Sequence, residues 1–137
     1  GGAVAAVHAG WRGLAGGVIP QALEALRPRA PGGALRAVVG PSIGPCCYEV
    51  DEPVLAAMRA RFGDALATAL TPTRAGHARL DLAALARVAL VAAGCAPAAI
   101  GVVADACTYC DAARFHSYRR DGAAAGRLLS WIEAPVR

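Results

Sequence analysis

The sequence predicts one layered α/β (α+β) domain. Three observations carry that expectation. The chain has 137 residues, the length of a single ordinary domain. Its 56% hydrophobic content with 18% charged residues can form a core and excludes a disordered tail. Its apolar periodicity alternates along the chain as strand, helix, strand, helix, helix, strand.

The elements follow in order. Ala3–Val7, bounded by glycines, reads as a short buried strand. Leu14–Leu26 is apolar with helical spacing, and Pro28 and Pro31 end it. Leu35–Val39 is a second strand candidate. Gly40–Pro45 must be an irregular, stiff loop, because two glycines and two prolines fix its shape. Cys46–Val50 is short and extended. Asp51 is placed to cap a helix over Glu52–Phe62, with Pro53 tolerated in the first turn. Thr71–His77 reads as a loop. Asp81 caps a helix over Leu82–Ala93, which Gly94 stops. Ile100–Ala104 is a third strand candidate, Asp105–Gly126 is polar and irregular, and Leu128–Ile132 reads as a last strand. No internal repeat or linker divides residues 1–137.

Charge and cysteine usage exclude several classes. The chain carries 14 basic and 10 acidic residues, and every basic one is arginine. The arginines form no continuous stripe, so nucleic-acid binding is not expected. They remain suited to grip phosphate or carboxylate at two points. The longest uncharged stretch, Val88–Ala104, is interrupted by Gly94, Pro97 and Gly101, so no membrane span is expected. Five cysteines, two of them adjacent, argue against a secreted disulfide framework and for a reducing cytoplasm.

Several residues have chemistry to offer. His8 ends a strand candidate before a glycine-rich turn, where a histidine can bind a metal or move a proton; a structural histidine is equally compatible. Arg12, on the same turn, suits phosphate or solvent alike, and Trp11 suits the core. The run Gly40-Pro41-Ser42-Ile43-Gly44-Pro45-Cys46-Cys47-Tyr48-Glu49-Val50 suits the wall of a site or a tight crossover holding small thiols. Cys107-Thr108-Tyr109-Cys110 is a single C-x-x-C, a weak zinc signal because a closed structural site needs four ligands. Arg119 and Arg120 are phosphate candidates or a solvated pair; in a strand they would point to opposite faces, so at most one would face a given site. Three histidines are too few for a multicopper centre.

The motifs taken in order resemble one family. His8-Ala9-Gly10-Trp11-Arg12-Gly13, the 40–50 run, Leu80-Asp81-Leu82, Cys107-Thr108-Tyr109-Cys110 and Ser117-Tyr118-Arg119-Arg120-Asp121-Gly122 are similar to those of the multicopper polyphenol oxidoreductase, or laccase-domain, proteins. Members of that family are described as zinc-dependent purine nucleoside phosphorylases. The resemblance implies a layered sandwich with mixed β-sheets flanked by helices. It implies phosphorolysis of adenosine, inosine, guanosine and methylthioadenosine, with an accompanying adenosine deaminase activity. Purine nucleosides and phosphate would be the partners, and the intact family suggests a monomer.

The family zinc is held by two histidines and a cysteine. His8 corresponds to one of them. The other two belong to Gln-Val-His-Gly and Thr-Ala-Asp-Cys motifs that lie upstream in the family and are not found in this chain. The expectation is a chain matching the C-terminal portion of a member, lacking its upstream part and inactive alone. His8 and Arg12 are the candidate catalytic residues, His8 with zinc polarising phosphate or water and Arg12 stabilising phosphate and the developing charge. Cys46, Tyr48, Cys107, Arg119 and Arg120 are candidate substrate- or phosphate-binding residues, with the purine beside the Gly40–Tyr48 loop. Neither Cys46, Cys47 nor Cys107 corresponds to a zinc ligand. His77 and His116 have no assigned role, and zinc binding by His77 is not favoured. Copper with polyphenol oxidation is the alternative within the family. A Cys–His hydrolase with Cys107 or Cys46 as nucleophile and His8 as base is a second. A non-catalytic piece that associates through an exposed apolar face is a third.

Overall fold

Leu82, Leu85, Ala86, Ala89 and Leu90 recur at helical spacing and are all buried. They define the longest apolar face of the chain, on helix α4 (Leu82–Ala92), and the rest of the fold is arranged around it. Asp81 starts the helix as expected: its Oδ1 accepts the Ala84 N–H at 2.9 Å. Gly94, with φ 95°, takes the left-handed conformation just past its end. The computed structural model describes residues 2–134.

The other helices are α1 (Trp11–Ala15), α2 (Val18–Leu26), α3 (Glu52–Phe62) and α5 (Tyr118–Asp121). The helix expected over Leu14–Leu26 is two helices. Gly17 breaks it with φ 76°, and a Cβ there would sit 3.0 Å from the Arg61 guanidinium. Helix α3 starts and ends where its sequence signals place it. Asp51 occupies the N-cap position, but its side chain makes no capping hydrogen bond.

Strands β1 (Ala37–Val39) and β5 (Ile100–Val102) pair in parallel, with Ala37 opposite Ile100. Strands β2 (Glu49–Asp51), β3 (Leu70–Pro72) and β4 (His77–Leu80) form an antiparallel sheet in the order β2-β4-β3. The architecture is therefore a layered α/β domain with mixed sheets and flanking helices, as the sequence predicts. Residues Leu14, Tyr48, Met58, Leu80 and Leu85 meet in its core.

Four further expectations are corrected. Cys46–Val50 is extended only from Glu49: Cys46 and Cys47 lie in a turn, where the Cys47 and Tyr48 N–H groups both donate to the Gly44 carbonyl. Thr71–His77 is not a plain loop but most of a β-hairpin. Ala78 and Leu80 point inward while His77 and Arg79 point out, so the outer face of β4 reads as polar loop sequence. Pro72 is accommodated because β3 is an edge strand. Ala3–Val7 is not a strand, because among the described residues no strand lies beside it to complete a ladder. Leu128–Ile132 is not a strand either: Leu129 is 90% exposed and Trp131 72%. No helix of the described residues is long and apolar enough to cross a membrane.

Candidate functional site

The His8–Gly13 motif makes a tight reversal into α1. A Cβ on Gly10 would stand 3.2 Å from His8 Nε2. A Cβ on Gly13 would stand 3.2 Å from both the His8 carbonyl oxygen and Val18 Cγ1. The two glycines thus let the exposed His8 segment fold back over the start of α1, whose first bond runs from Leu14 N–H to the Gly10 carbonyl at 2.9 Å. Arg12 lies over the Trp11 ring, 4.5 Å from its centroid. Trp11 is half-buried and packs against the core, and its free side faces a cleft.

That cleft, of about 290 Å³, is bordered by Trp11, Tyr48, Asp51, Arg74, His77 and Arg119. Its size falls at the lower end of small-molecule sites, which span about 300–1,000 Å³. Tyr48 forms its floor and is only 6% exposed. Burial pushes the phenol above its ordinary pKa, and the charges of Arg119 and Arg12 pull partly against that. The two guanidiniums therefore act on one buried ring. Arg119 sits 5.1 Å over the Tyr48 ring and donates Nη1–H to the Glu49 carbonyl at 3.0 Å. Arg74 donates to Glu49 Oε1 and holds that carboxyl below its usual range, which leaves Asp51 as the second acidic group at the rim. His77 also lines the cleft, with Nδ1 3.0 Å from the Ala75 carbonyl.

Arg120 is used differently. Its five N–H donors go to Asp121 Oδ1 and Oδ2 and to the carbonyls of Thr108, Tyr109 and Phe115, at 2.8–3.0 Å. The pair Arg119-Arg120 is thus split. One guanidinium reaches the cleft and the other braces a turn.

That turn carries the second constellation. The Cys46, Cys47, Cys107 and Cys110 sulfurs all lie within 4.8 Å of one another. Cys46 and Cys110 are 3.5 Å apart, and Cys47 and Cys110 3.3 Å. Burial acts to raise the Cys107 thiol, but backbone N–H groups of Cys110, Gly44 and Tyr109 outweigh it and bring it down to about 6. Cys46 is pushed up, by burial first and then by the neighbouring thiols. A second cleft of about 250 Å³ adjoins this group, between Gly40–Cys46 and the segment Val102–Cys107. Cys95 stands apart, buried, with its sulfur against the Leu35 carbonyl.

Sequence reasoning named Cys46 and Cys107 as site residues but weighed the two cysteine pairs separately. The signal that joins them is the parallel bridge between Ser42 and Cys107, reinforced by Thr108 N–H donating to the Ser42 carbonyl at 3.0 Å. Among the described residues, this quartet is the one group of three or more metal-ligating side chains, and His8 belongs to none. The imidazole alone therefore does not make the two-histidine, one-cysteine set that the resemblance implies.

Comparison with known proteins defines the class. Residues 1–134 match the family model described as multi-copper polyphenol oxidoreductase laccase, and the chain belongs to that family. It is 38% identical over 134 residues to the purine nucleoside phosphorylase YlmD of Geobacillus stearothermophilus, covering 96% of this chain and 48% of that protein. It is 44% identical over 131 residues to a purine nucleoside phosphorylase of Xylella fastidiosa, covering 94% and 48%. A protein named adenosine deaminase RL5, from an unknown prokaryote, is 36% identical over 132 residues, covering 96% and 50%. The crystal structure of the hypothetical protein YfiH from Bacillus licheniformis superimposes with a TM-score of 0.74 at 37% identity, over 83% of this chain and 43% of that one. The chain spans about half the length of the curated relatives it matches.

Proposed function

We propose that this chain supplies the phosphate-binding half of a purine nucleoside phosphorylase. The observation that carries the reading is an open cleft lined by Trp11, Tyr48 and Arg119, with Arg119 over the buried Tyr48 ring and Arg12 over the Trp11 ring. Relatives of 38% and 44% identity that bear that enzyme's name support it.

In phosphorolysis a phosphate oxygen bonds to the ribose C1′ as the C1′–N bond to the purine breaks. The bonding pair leaves with the base, which takes up a proton. The site must hold a multiply charged phosphate next to a sugar that becomes cationic. Arg12 and Arg119 suit the first task, since each guanidinium rests on an aromatic face and keeps N–H donors for a ligand. Arg120 does not, because its donors are committed to the chain itself. Asp51, at the rim, suits the developing positive charge. The base belongs beside the Gly40–Tyr48 loop, where Val102, Val103 and Ala106 line the second cleft. His8 offers one imidazole toward zinc, and the described residues do not complete that set. Five free cysteines fit a protein of a reducing cytoplasm.

The test is base release from inosine with and without phosphate, in the protein that carries this chain. Arg12→Ala and Arg119→Ala should each lower kcat/KM by about 100-fold, with a raised KM for phosphate. An unchanged phosphate dependence in both variants overturns the assignment. Ammonia release from adenosine, without phosphate dependence, would favour the deaminase reading that one relative's name supports.

A further inference from the structure

The cysteine quartet lies outside the cleft of Tyr48 and Arg119, borders the second cleft through Cys46 and Cys107, and takes no part in the proposed bond changes. The geometry points to a four-sulfur site for a soft divalent metal, best suited to zinc, formed by Cys46, Cys47, Cys107 and Cys110.

Four sulfurs at about 2.3 Å from a tetrahedral zinc lie about 3.8 Å from one another. The quartet fits within 4.8 Å, with two pairs at 3.3 and 3.5 Å, so sub-ångström adjustments suffice to close it around one ion. All four ligands come from this chain. The ligand type is uniform and soft, which selects zinc over calcium or magnesium.

The surroundings are organised for charged sulfur. Gly44 N–H donates to Cys107 Sγ at 3.2 Å. A backbone N–H donated to a sulfur in this way also steadies a metal-bound thiolate. Gly44 is required for the approach: a Cβ there would be 3.3 Å from both Cys46 Sγ and Cys107 Cβ. The two ligand-bearing turns are held without the metal. Cys47 N–H and Tyr48 N–H both donate to the Gly44 carbonyl at 3.0 Å, which folds the chain over the adjacent pair. Arg120 ties the Thr108 and Tyr109 carbonyls, and Arg114 ties the Asp105 carbonyl at 2.7 Å while pairing with Asp111.

Binding is proton-coupled and leaves the metal's oxidation state unchanged. Each thiol that coordinates releases its proton to solvent, and the ion gains four metal–sulfur bonds. With every position taken by protein, the site is closed and structural. Its role is to staple the Gly40–Tyr48 loop to the Cys107–Cys110 turn, and so to fix one wall of the second cleft.

The experiment is metal analysis of the full chain purified under reducing conditions with zinc, together with cobalt substitution. The expected result is one zinc equivalent per chain that has only sulfur neighbours, four at about 2.3 Å by X-ray absorption. The cobalt form should show a sulfur-to-metal charge-transfer band and tetrahedral visible bands. Cys46→Ser and Cys110→Ser, both at exposed positions away from the core, should each remove that signature. His8→Ala should leave it intact, so failure here is separable from failure of any metal site at His8. Circular dichroism of the serine variants checks that the core still folds. Three results overturn the proposal: four thiols that all titrate freely in the presence of zinc, a disulfide among them in the reduced, zinc-supplied chain, or a signature that survives Cys110→Ser in a folded protein.

Discussion

The two sides of this domain are held together by different means. On the β2-β4-β3 side, rigidity comes from apolar burial. Met58, Leu80 and Leu85 are fully enclosed by α3, α4 and the sheet. On the β1-β5 side, apolar burial runs out. Val38 is 75% exposed, and Val102 and Val103 are exposed as well. What orders the loops beyond that pair is polar: backbone bridges, two arginines and converging sulfurs. The first kind of order is generic to folding. The second spends hydrogen-bonding groups on placing particular atoms, and it is where both cysteine motifs and Arg120 sit.

The comparison predicts unequal responses to substitution. The largest effect belongs to the buried side. Leu85→Ala leaves a cavity where no solvent reaches, and it should cost about 3 kcal/mol, or a drop in Tm of about 10 °C. Urea unfolding followed by far-UV circular dichroism measures it. A loss under about 1 kcal/mol would mean that α4 is not the anchor of the core and that the contrast between the sides is false.

Arg120→Ala should act locally rather than globally. It frees the carbonyls of Thr108, Tyr109 and Phe115 and leaves the Asp121 carboxylate without its partner. Amide exchange should speed up at Cys107–Cys110 and at Thr108, which donates to Ser42, with little change in α4. Tm should fall by less than in Leu85→Ala. Arg119→Ala is the natural control, because that guanidinium faces the cleft instead. Equal exchange profiles for the two variants would mean that the arginines are not divided between bracing and binding.

The same contrast explains what could be read in advance. Helix α4 was legible because cap, spacing and stop all sit within it: Asp81, the Leu82–Leu90 pattern and Gly94. Helix α3 was legible for similar reasons. The β3-β4 hairpin was not, since its outward residues Thr71, Arg79 and His77 look like loop chemistry and only Ala78 and Leu80 mark the inner face. Ala3–Val7 and Leu128–Ile132 misled in the opposite direction. Their apolar sequence states a preference for burial, yet a strand exists only through the neighbour that bonds it, and none lies beside them among the described residues. The candidate site divides the same way. His8, Arg12 and Arg119 were nameable from motif order. The quartet was not, because its halves stand 63 and 64 residues apart and meet only through the Ser42–Cys107 bridge. The split between Arg119 and Arg120 was expected only for a strand; the segment is helix α5, which still turns the two adjacent side chains to different neighbours.

The smallest effect is a pH dependence confined to the polar side. Arg120 grips Asp121 at both carboxylate oxygens and holds that carboxyl below its ordinary range. A lowered folded-state pKa means the unfolded chain binds the proton more readily. The stabilisation is therefore complete at neutral pH and lost as pH falls below the ordinary aspartate value of about 3.9 and through the lowered one. Asp121→Asn removes the titrating group. The wild type should be the more stable form at pH 7, and the gap should close as pH falls below the ordinary aspartate range and its own carboxyl protonates. The pair is partly exposed, so added salt should shrink the gap as well. Urea midpoints for both proteins across that range decide the matter. A gap that stays constant with pH would show that Asp121 holds Arg120 by shape alone, and that the bracing of the cysteine turn owes nothing to charge.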